Sequence, residues 1–256
     1  AKELNVIGLI NIQFAVQKGE IFIIEVNPRA SRTIPFVSKS IGVPLAKIAA
    51  RVMAGKTLKE IGFTQEVEPT HIAVKESVFP FNKFIDVDVL LGPEMKSTGE
   101  VMGIDKTFGR AFAKSQLATG INLSIKGTAF ISVKDSDKPK SIIIAKGLQE
   151  LGYKIVATKG TAEHLNKNGV IVKLIKKVQE GSPHCVEAIE SGNIDLVINT
   201  TFGDKAIEDS FSLRRSSLNK NLPYCTTIAG ASALLGGLKA IKNQELEITT
   251  IQEYNT

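Results

Sequence analysis

The strongest chemical signal in the sequence is a carboxylate and an amide that close an apolar, strand-like segment. Glu25 and Asn27 are separated by one residue, and alternate side chains of a strand point to the same face. Carboxylate and amide oxygens are hard ligands, suited to Mg²⁺ where it bridges nucleotide phosphates. Arg29 and Arg32 follow directly and could hold a phosphate or a small oxyanion. A surface hairpin with arginines at its rim is the simpler alternative.

The segment before this strand decides how many polar side chains share its face. Residues 9–16 and 20–26 predict two strands of a hairpin. A three-residue loop between them would place Asn11 and Gln13 on the face of Glu25, whereas a two-residue loop would turn both away. The sequence leaves both registers open.

A second candidate anion site lies where a later strand meets a helix. Thr158-Lys-Gly-Thr161 opens a predicted helix, whose free N–H groups, two hydroxyls and lysine could hold an anion. Thr161 could equally be a helix cap alone. Lys177 follows the next predicted strand, and Asn199 and Thr201 end another. Ligands of open α/β sheets bind at the carboxyl ends of strands, so these residues could converge.

The order of predicted elements indicates an α/β protein with two domains, 1–120 and 121–256. In the first, the hairpin precedes a helix over 35–55, a strand-like stretch from 72 to 92 and a helix over 107–119. In the second, strands alternate with helices, which is typical of a doubly wound, mostly parallel sheet. The predicted strands of this domain cover 129–133, 154–157, 170–174, 196–199 and 247–251, and its helices cover 140–151, 161–168, 184–191 and 229–242.

Composition excludes several other classes of protein. The 256 residues are 43% hydrophobic and 23% charged, which is ordinary for a globular protein. The net charge of +6 is spread along the chain, which favours small anionic ligands over nucleic acid. No apolar run is long enough for a membrane helix, and Cys185 and Cys225 form no metal or disulfide pattern. We therefore expect a soluble cytoplasmic protein with no nucleic-acid or membrane partner, and the start at Ala1 predicts part of a longer polypeptide.

The first half resembles a known enzyme family. The stretch Glu25-Val-Asn-Pro-Arg-Ala-Ser-Arg-Thr-Ile-Pro-Phe-Val-Ser-Lys39 resembles the end of an ATP-grasp active site in the large subunit of carbamoyl phosphate synthetases, and the likeness continues through 42–55, 74–84 and 90–103. The resemblance implies the half that phosphorylates carbamate. It also implies roles for five side chains: Gln13, Glu25 and Asn27 would bind Mg²⁺ or Mn²⁺ with ATP, and Arg29 and Arg32 would stabilise carbamate and the transferred phosphoryl group.

The second half resembles the methylglyoxal-synthase-like domain that regulates these synthetases, on segments 157–164, 198–202, 206–210 and 213–216. Bacterial members bind UMP and IMP there at one overlapping site. The resemblance implies that Thr158, Thr161 and Lys177 hold the phosphate and that Lys138, Asn199 and Thr201 face the ribose and the rim. Members activated by ornithine bind it between the synthetase half and this domain, at positions that Glu76 and Thr226 match.

The resemblance implies a ligase that makes carbamoyl phosphate for pyrimidine and arginine biosynthesis. Its partners would be a glutaminase small subunit, which supplies ammonia, and the preceding parts of the large chain; we also expect an oligomer. This chain alone would be inactive because it holds one edge of the ATP site. Two alternatives are a stand-alone nucleotide-binding module and a methylglyoxal-synthase-type lyase. The lyase is disfavoured because Ser182 and Thr201 stand where that chemistry needs carboxylates.

Overall fold

The chain forms two compact units. The computed structural model describes residues 1–79, 81, 99–201 and 203–256. Unit 1 comprises Ala1–His71 and Glu247–Thr256, and unit 2 comprises Ile72–Leu246. Unit 2 is thus inserted, in sequence, between two parts of unit 1. The division into domains at residue 120 stays a prediction, and the strand-like stretch from 72 to 92 and the likeness over 74–84 and 90–103 fall partly outside the described residues.

The described residues contain strands and helices in the following order. The strands are β1 Asn11–Gln17, β2 Glu20–Asn27, β3 Ile72–Val78, β4 Gly99–Asp105, β5 Gly127–Ser132, β6 Tyr153–Ala157, β7 Val172–Leu174, β8 Leu196–Asn199 and β9 Tyr224–Cys225. The α-helices are α1 Thr33–Ile41, α2 Leu45–Met53, α3 Leu58–Ile61, α4 Phe108–Ala118, α5 Lys138–Leu151, α6 Lys159–Lys167, α7 Cys185–Glu190, α8 Asp204–Asp209, α9 Phe211–Asn219, α10 Ile228–Asn243 and α11 Ile251–Tyr254. In this part of the chain, no helix combines the length and the apolar composition that crossing a bilayer requires.

The predicted helix over 35–55 is wrong, because the structure divides it into α1 and α2. Gly42 ends α1 in the left-handed conformation with φ 69°, and its N–H donates to Ser38 O. Pro44 precedes α2 and has no N–H to continue the first helix. The apolar spacing runs through this break, and so the spacing alone could not reveal it.

The sheet of unit 2 confirms the predicted doubly wound architecture. Five parallel strands lie in the order β7-β6-β5-β8-β9. Neighbouring side chains of β5 enter opposite apolar clusters: Ala129 and Ile131 pack on one face with Leu148 and Leu238, and Phe130 packs on the other. A strand buried on both faces reads as a continuous apolar run, which is why β5 was visible in the sequence.

Among the strands predicted for residues 121–256, one is wrong, and one strand of the five-stranded sheet was not predicted. Residues 247–251 form no strand; Thr250 instead caps α11, with its hydroxyl accepting from the N–H of Glu253. The fifth strand is β9, which has only two residues and pairs with β8. A strand of this length has too few side chains to produce a pattern.

Helix α4 lies very close to β4, which pairs with β3. A Cβ on Gly103 of β4 would lie 2.0 Å from the carbonyl oxygen of Ala111 and 2.4 Å from the amide nitrogen of Ser115. At the end of the strand, Asp105 is buried and pairs with Arg110 at 3.0 Å and with Lys114 at 2.8 Å. Gly103, which has no side chain, allows α4 to approach β4, and the ion pairs of Asp105 with Arg110 and Lys114 hold the helix there.

We predict that Gly103→Ala lowers the free energy of unfolding by about 3 kcal/mol, because helix or strand must move to admit the methyl group. Gly236→Ala in α10 is the matched control. A Cβ there meets nothing within 4 Å, so the helix preference for alanine should leave stability unchanged or raise it by about 0.5–1 kcal/mol. Denaturant unfolding of both variants checks this, and equal effects would contradict the close approach.

Candidate functional site

In the hairpin of unit 1, Gln13 pairs with Glu25 because of an irregularity that the sequence did not predict. Its loop has two residues, since Gln17 pairs with Glu20, and this loop alone would turn the polar side chains away. A bulge between Gln13 and Phe14 shifts the register, so that Gln13 faces Glu25. A two-residue loop was expected to turn Gln13 away from the face of Glu25. That expectation is wrong, because one extra residue in β2 moves the side chains beyond the bulge to the opposite face.

Three polar side chains meet at this end of the hairpin. Glu25 Oε1 accepts hydrogen bonds from Gln13 Nε2 at 2.6 Å and from Asn27 Nδ2 at 2.7 Å. Each of the three side chains also carries oxygen, the ligand type that Mg²⁺ and Mn²⁺ accept. Since the described residues hold no group of three or more His, Cys, Asp or Glu that could bind a metal, a cation here would need both amide side chains. The donor set fits a divalent cation that is also bound to phosphate oxygens.

The two arginines follow this cluster on the connection to α1. Arg29 is exposed, its N–H donates to Asn27 O at 2.8 Å, and its guanidinium donates to Ala30 O at 3.1 Å. Arg32 is exposed and occupies the N-cap position of α1. Both arginines therefore follow Glu25 and Asn27 within a few positions of the sequence, in the connection from β2 to α1.

Unit 2 has a cavity of about 660 Å³ at the carboxyl ends of its parallel strands. It opens beside β5 and β8, where the strand order reverses: β6 and β7 lie on one side of β5, and β8 and β9 lie on the other. Open α/β sheets bind ligands at such a position. The structure brings four of the predicted residues together in its lining: Thr158, Lys177, Asn199 and Thr201. Thr158 occupies the N-cap position of α6, and its hydroxyl lies 3.0 Å from that of Ser132.

Two other predicted residues stand behind or beside this lining. Thr161 is buried in the first turn of α6, and its hydroxyl accepts from the N–H of Val133 at 3.2 Å. The interpretation of Thr161 as the helix cap is wrong, because α6 begins two residues earlier. Lys138 is absent from the lining; its ammonium forms an ion pair with Asp135 at 2.7 Å, and this pairing lowers the pKa of Asp135 by hydrogen bonding and charge attraction.

Several residues of the cavity were missed in the sequence. Ser132 ends the central strand, and the N–H of Lys134 donates to Thr200 at 3.1 Å. Ligands bind at the carboxyl ends of strands, and applying this rule to β5 would have identified Ser132 and Lys134. Asp135 and Asp209 add carboxylates to the lining. Asp209 lies on α8 rather than at the end of a strand, so the strand-end rule could not identify it.

The predicted ornithine residues lie on separate elements of unit 2. Glu76 is on β3 and accepts from Gln116 Nε2 at 3.1 Å. Burial raises its pKa, and the hydrogen bond from Gln116 offsets that rise only in part. Thr226 is exposed and directly follows Cys225. Burial and the negative charge of Glu76 raise the pKa of Cys225 to about 12.

Comparison with known families finds one match in each half of the chain. Residues 1–61 match the carbamoyl-phosphate synthase L chain, ATP binding domain, and residues 141–226 match the MGS-like domain. The chain is 56% identical, over 99% of its length, to the carbamoyl phosphate synthase large chain of Myxococcus xanthus (strain DK1622). It is 52% identical over 99% of its length to that of Nostoc sp. (strain PCC 7120 / SAG 25.82 / UTEX 2576), and 48% identical over 100% to that of Archaeoglobus fulgidus. The chain spans 24% of the length of each of these three proteins.

We predict that Thr161→Val lowers the free energy of unfolding by about 1–3 kcal/mol, because the buried N–H of Val133 loses its acceptor. Thr161→Ser is the control: it keeps the oxygen and loses one methyl group, at a cost of about 1 kcal/mol. Denaturant unfolding compares the two. A valine variant as stable as the serine variant would show that the hydroxyl does not carry this contact.

Proposed function

The chain belongs to the carbamoyl phosphate synthase large-chain family, and from that premise we propose that it supplies one edge of the site that phosphorylates carbamate, together with a regulatory nucleotide site. The observation that carries this proposal is the coexistence of two polar sites, one in each matched half. The first is the Gln13–Glu25–Asn27 cluster and the second is the strand-end cavity. The parent enzyme would be an ATP-dependent, glutamine-hydrolysing ligase.

The hairpin cluster would hold the divalent cation that accompanies ATP. Glu25 supplies the charge, and Gln13 and Asn27 supply amide groups within hydrogen-bond distance of it. The bound cation, Mg²⁺ or Mn²⁺, would neutralise phosphate charge. Arg29 and Arg32 would hold carbamate and the phosphoryl group in line, because phosphoryl transfer depends mainly on positioning and on stabilisation of charge.

The cavity of unit 2 would bind a nucleoside monophosphate of the UMP or IMP type. Its volume of about 660 Å³ is in the range of small-ligand sites. The phosphate would lie at the N-terminus of α6, where Thr158 offers a hydroxyl, helix N–H groups are free, and Lys177 supplies charge. Thr161 supports the floor of the site, and Asn199, Thr201 and Lys138 would face the ribose and the rim.

A third ligand belongs to the same proposal. Ornithine carries two amino groups and would need a carboxylate partner. Glu76 is half-buried, and among the described residues it accepts a hydrogen bond from the neutral side chain of Gln116. Thr226 would add a hydroxyl near the same strand. An ammonium group beside Glu76 would offset the burial that raises its pKa.

The partners follow from the parent enzyme. We infer a glutaminase small subunit as the source of ammonia, the remaining large-chain segments as the rest of the ATP site, an oligomeric assembly, and a role in pyrimidine and arginine biosynthesis. Apolar side chains of β1 and β2 support extensive contacts: Phe14, Val16, Ile21 and Ile24 are 53–71% exposed. The two free cysteines fit a reducing cytoplasm, and this chain alone would not turn over.

The two alternatives remain weaker. A methylglyoxal-synthase-type lyase would need carboxylates at positions that hold Ser182 and Thr201, and Ser182 Oγ donates to Glu187 at 3.1 Å. A stand-alone nucleotide module would leave the hairpin cluster without a purpose.

For the ATP site, we predict that Glu25→Gln in the full-length large chain, assembled with its small subunit, lowers the rate of carbamoyl phosphate synthesis by about 10²-fold through loss of cation charge stabilisation. Glu20→Gln, on the same strand beside the turn, should leave the rate unchanged. Coupled assays over a range of Mg²⁺ and Mn²⁺ concentrations measure this. An unchanged rate for Glu25→Gln would refute the metal role.

For the regulatory site, we predict that the full-length chain binds UMP or IMP saturably and that Lys177→Ala weakens binding about 10-fold, or about 1.4 kcal/mol. Lys167→Ala, an exposed lysine at the far end of α6, is the control. Isothermal titration measures both. Absence of binding to either nucleotide by a folded sample would assign the cavity to another ligand.

A further inference from the structure

The segment after unit 2 returns to unit 1 and caps the C-terminus of α1. The last four carbonyls of a helix have no partner within it. In α1, the carbonyl of Lys39 accepts from Asn255 Nδ2 at 3.0 Å, and the carbonyl of Ser40 lies 2.7 Å from His71 Nε2. Since a carbonyl oxygen only accepts, the ring nitrogen is the donor. Two of the helix's end carbonyls are therefore satisfied by side chains outside it, one of them from the return segment 247–256.

The return segment is seated closely on this helix end. A Cβ on Gly42 would lie 2.8 Å from the Cβ and Cγ atoms of Asn255, and Gly42 has φ +69°. The ring of Tyr254 packs against that of buried His71, with centroids 5.4 Å apart. Asn255 Nδ2 also donates to Ile251 O at 3.0 Å, so α11 orients the amide that holds α1. The contact of residues 247–256 with α1 therefore has a defined geometry, set by α11 and the amide of Asn255.

The other end of α1 carries the proposed phosphoryl-binding group. Arg32 is the N-cap residue, and the turn before the helix is closed by Ser31, whose carbonyl and hydroxyl accept from Ile34 and Thr33, both at 3.2 Å. The helix has nine residues and is about 13 Å long. A shift of the intact helix at its capped end would therefore also displace Arg32.

The residues just before the return segment are held in unit 2. Arg110 donates to the carbonyl of Glu245 at 3.1 Å and pairs with Asp105 at 3.0 Å. Helix α10, which ends just before Glu245, follows β9, and Tyr224 of β9 accepts from Asn199 Nδ2 at 3.1 Å. Asn199 lines the nucleotide cavity. A hydrogen bond thus links Asn199 of the cavity to β9, and the chain continues from β9 through α10 and Glu245 to the segment that caps α1.

We propose that residues 247–256 form a positioning strap, in which Asn255 holds α1 and couples the state of the unit 2 cavity to the placement of Arg32. This inference rests on the proposed function, because it assigns a route between the regulatory site and the phosphorylating site. Asn255 is a positioning residue that acts through α1. Coupling of this kind is reciprocal: ATP must alter nucleotide affinity by the same factor as the nucleotide alters ATP affinity.

The test compares Asn255→Asp with Gln252→Glu in the full-length large chain assembled with its small subunit. Asn255→Asp removes the donor to the carbonyls of Lys39 and Ile251 with almost no change in size. Gln252→Glu introduces the same charge on the exposed side of the same short helix. For each protein, the apparent KM for ATP is measured with and without saturating UMP, and the affinity for UMP is measured with and without ATP.

Asn255→Asp should reduce both the UMP-dependent change in ATP KM and the effect of ATP on UMP affinity at least fivefold, while UMP affinity without ATP stays unchanged. Gln252→Glu should behave as the unsubstituted enzyme. Equal coupling in all three proteins would overturn the strap. If the unsubstituted enzyme makes no carbamoyl phosphate, the proposed function fails separately.

Hydrogen exchange provides a readout that needs neither activity nor a stable variant. The N–H groups of Gly42 and Val43 donate to Ser38 O at the end of α1. In the unsubstituted full-length chain, UMP should change their exchange rates at least threefold, and Asn255→Asp should accelerate exchange there without affecting β5. No change at these two amides on UMP binding would overturn the proposal, even if Asn255→Asp did not fold.

Discussion

The burial of β5 on both faces is the constraint on which the arrangement of unit 2 depends. Its side chains alternate between two apolar clusters, so the strand cannot carry polar groups along its length without leaving them unsatisfied. The buried middle of β5 is therefore apolar, with polar side chains only near its ends, at Thr128 and Ser132, and Lys134 follows the strand. Parallel pairing brings the ends of β6 and β8 to the same edge, where Thr158 and Asn199 join Ser132. The cavity is thus a consequence of how the core is buried.

In unit 1, an antiparallel hairpin brings the polar side chains together. A two-residue turn with positive φ at Lys18 and Gly19 suits the twist of the strands, but its register alone would put Gln13 and Glu25 on opposite faces. The bulge opposite Phe14 inverts the facing for the distal half of the hairpin. The tight turn and the polar cluster are compatible only because the strands contain this irregularity. A bulge beside a functional cluster is a common way of aiming a side chain.

The two units share one chain that crosses between them twice. The second crossing places residues 247–256 on α1, where an amide from α11 and an imidazole from His71 complete the helix end. Capping of this kind stabilises a helix, and here it also links the helix to the segment that follows unit 2 in the chain. The same contacts can therefore serve stability and communication, and the coupling measurement separates these two roles.

The class of the sheet could be predicted from the chain's residue pattern, because apolar runs such as β5, β6 and β8 must be buried on both faces. The same holds for the polar residues at the ends of β6 and β8 and for the placement of Glu25 and Asn27 on one face of β2, since these depend on local order along the chain. Four features could not be predicted in this way: the register of Gln13, the break between α1 and α2, the two-residue strand β9 and the position of Asn255 against α1. These depend on an inserted residue, on a glycine and a proline within an unbroken apolar pattern, and on contacts between residues about 200 positions apart, which local spacing does not encode.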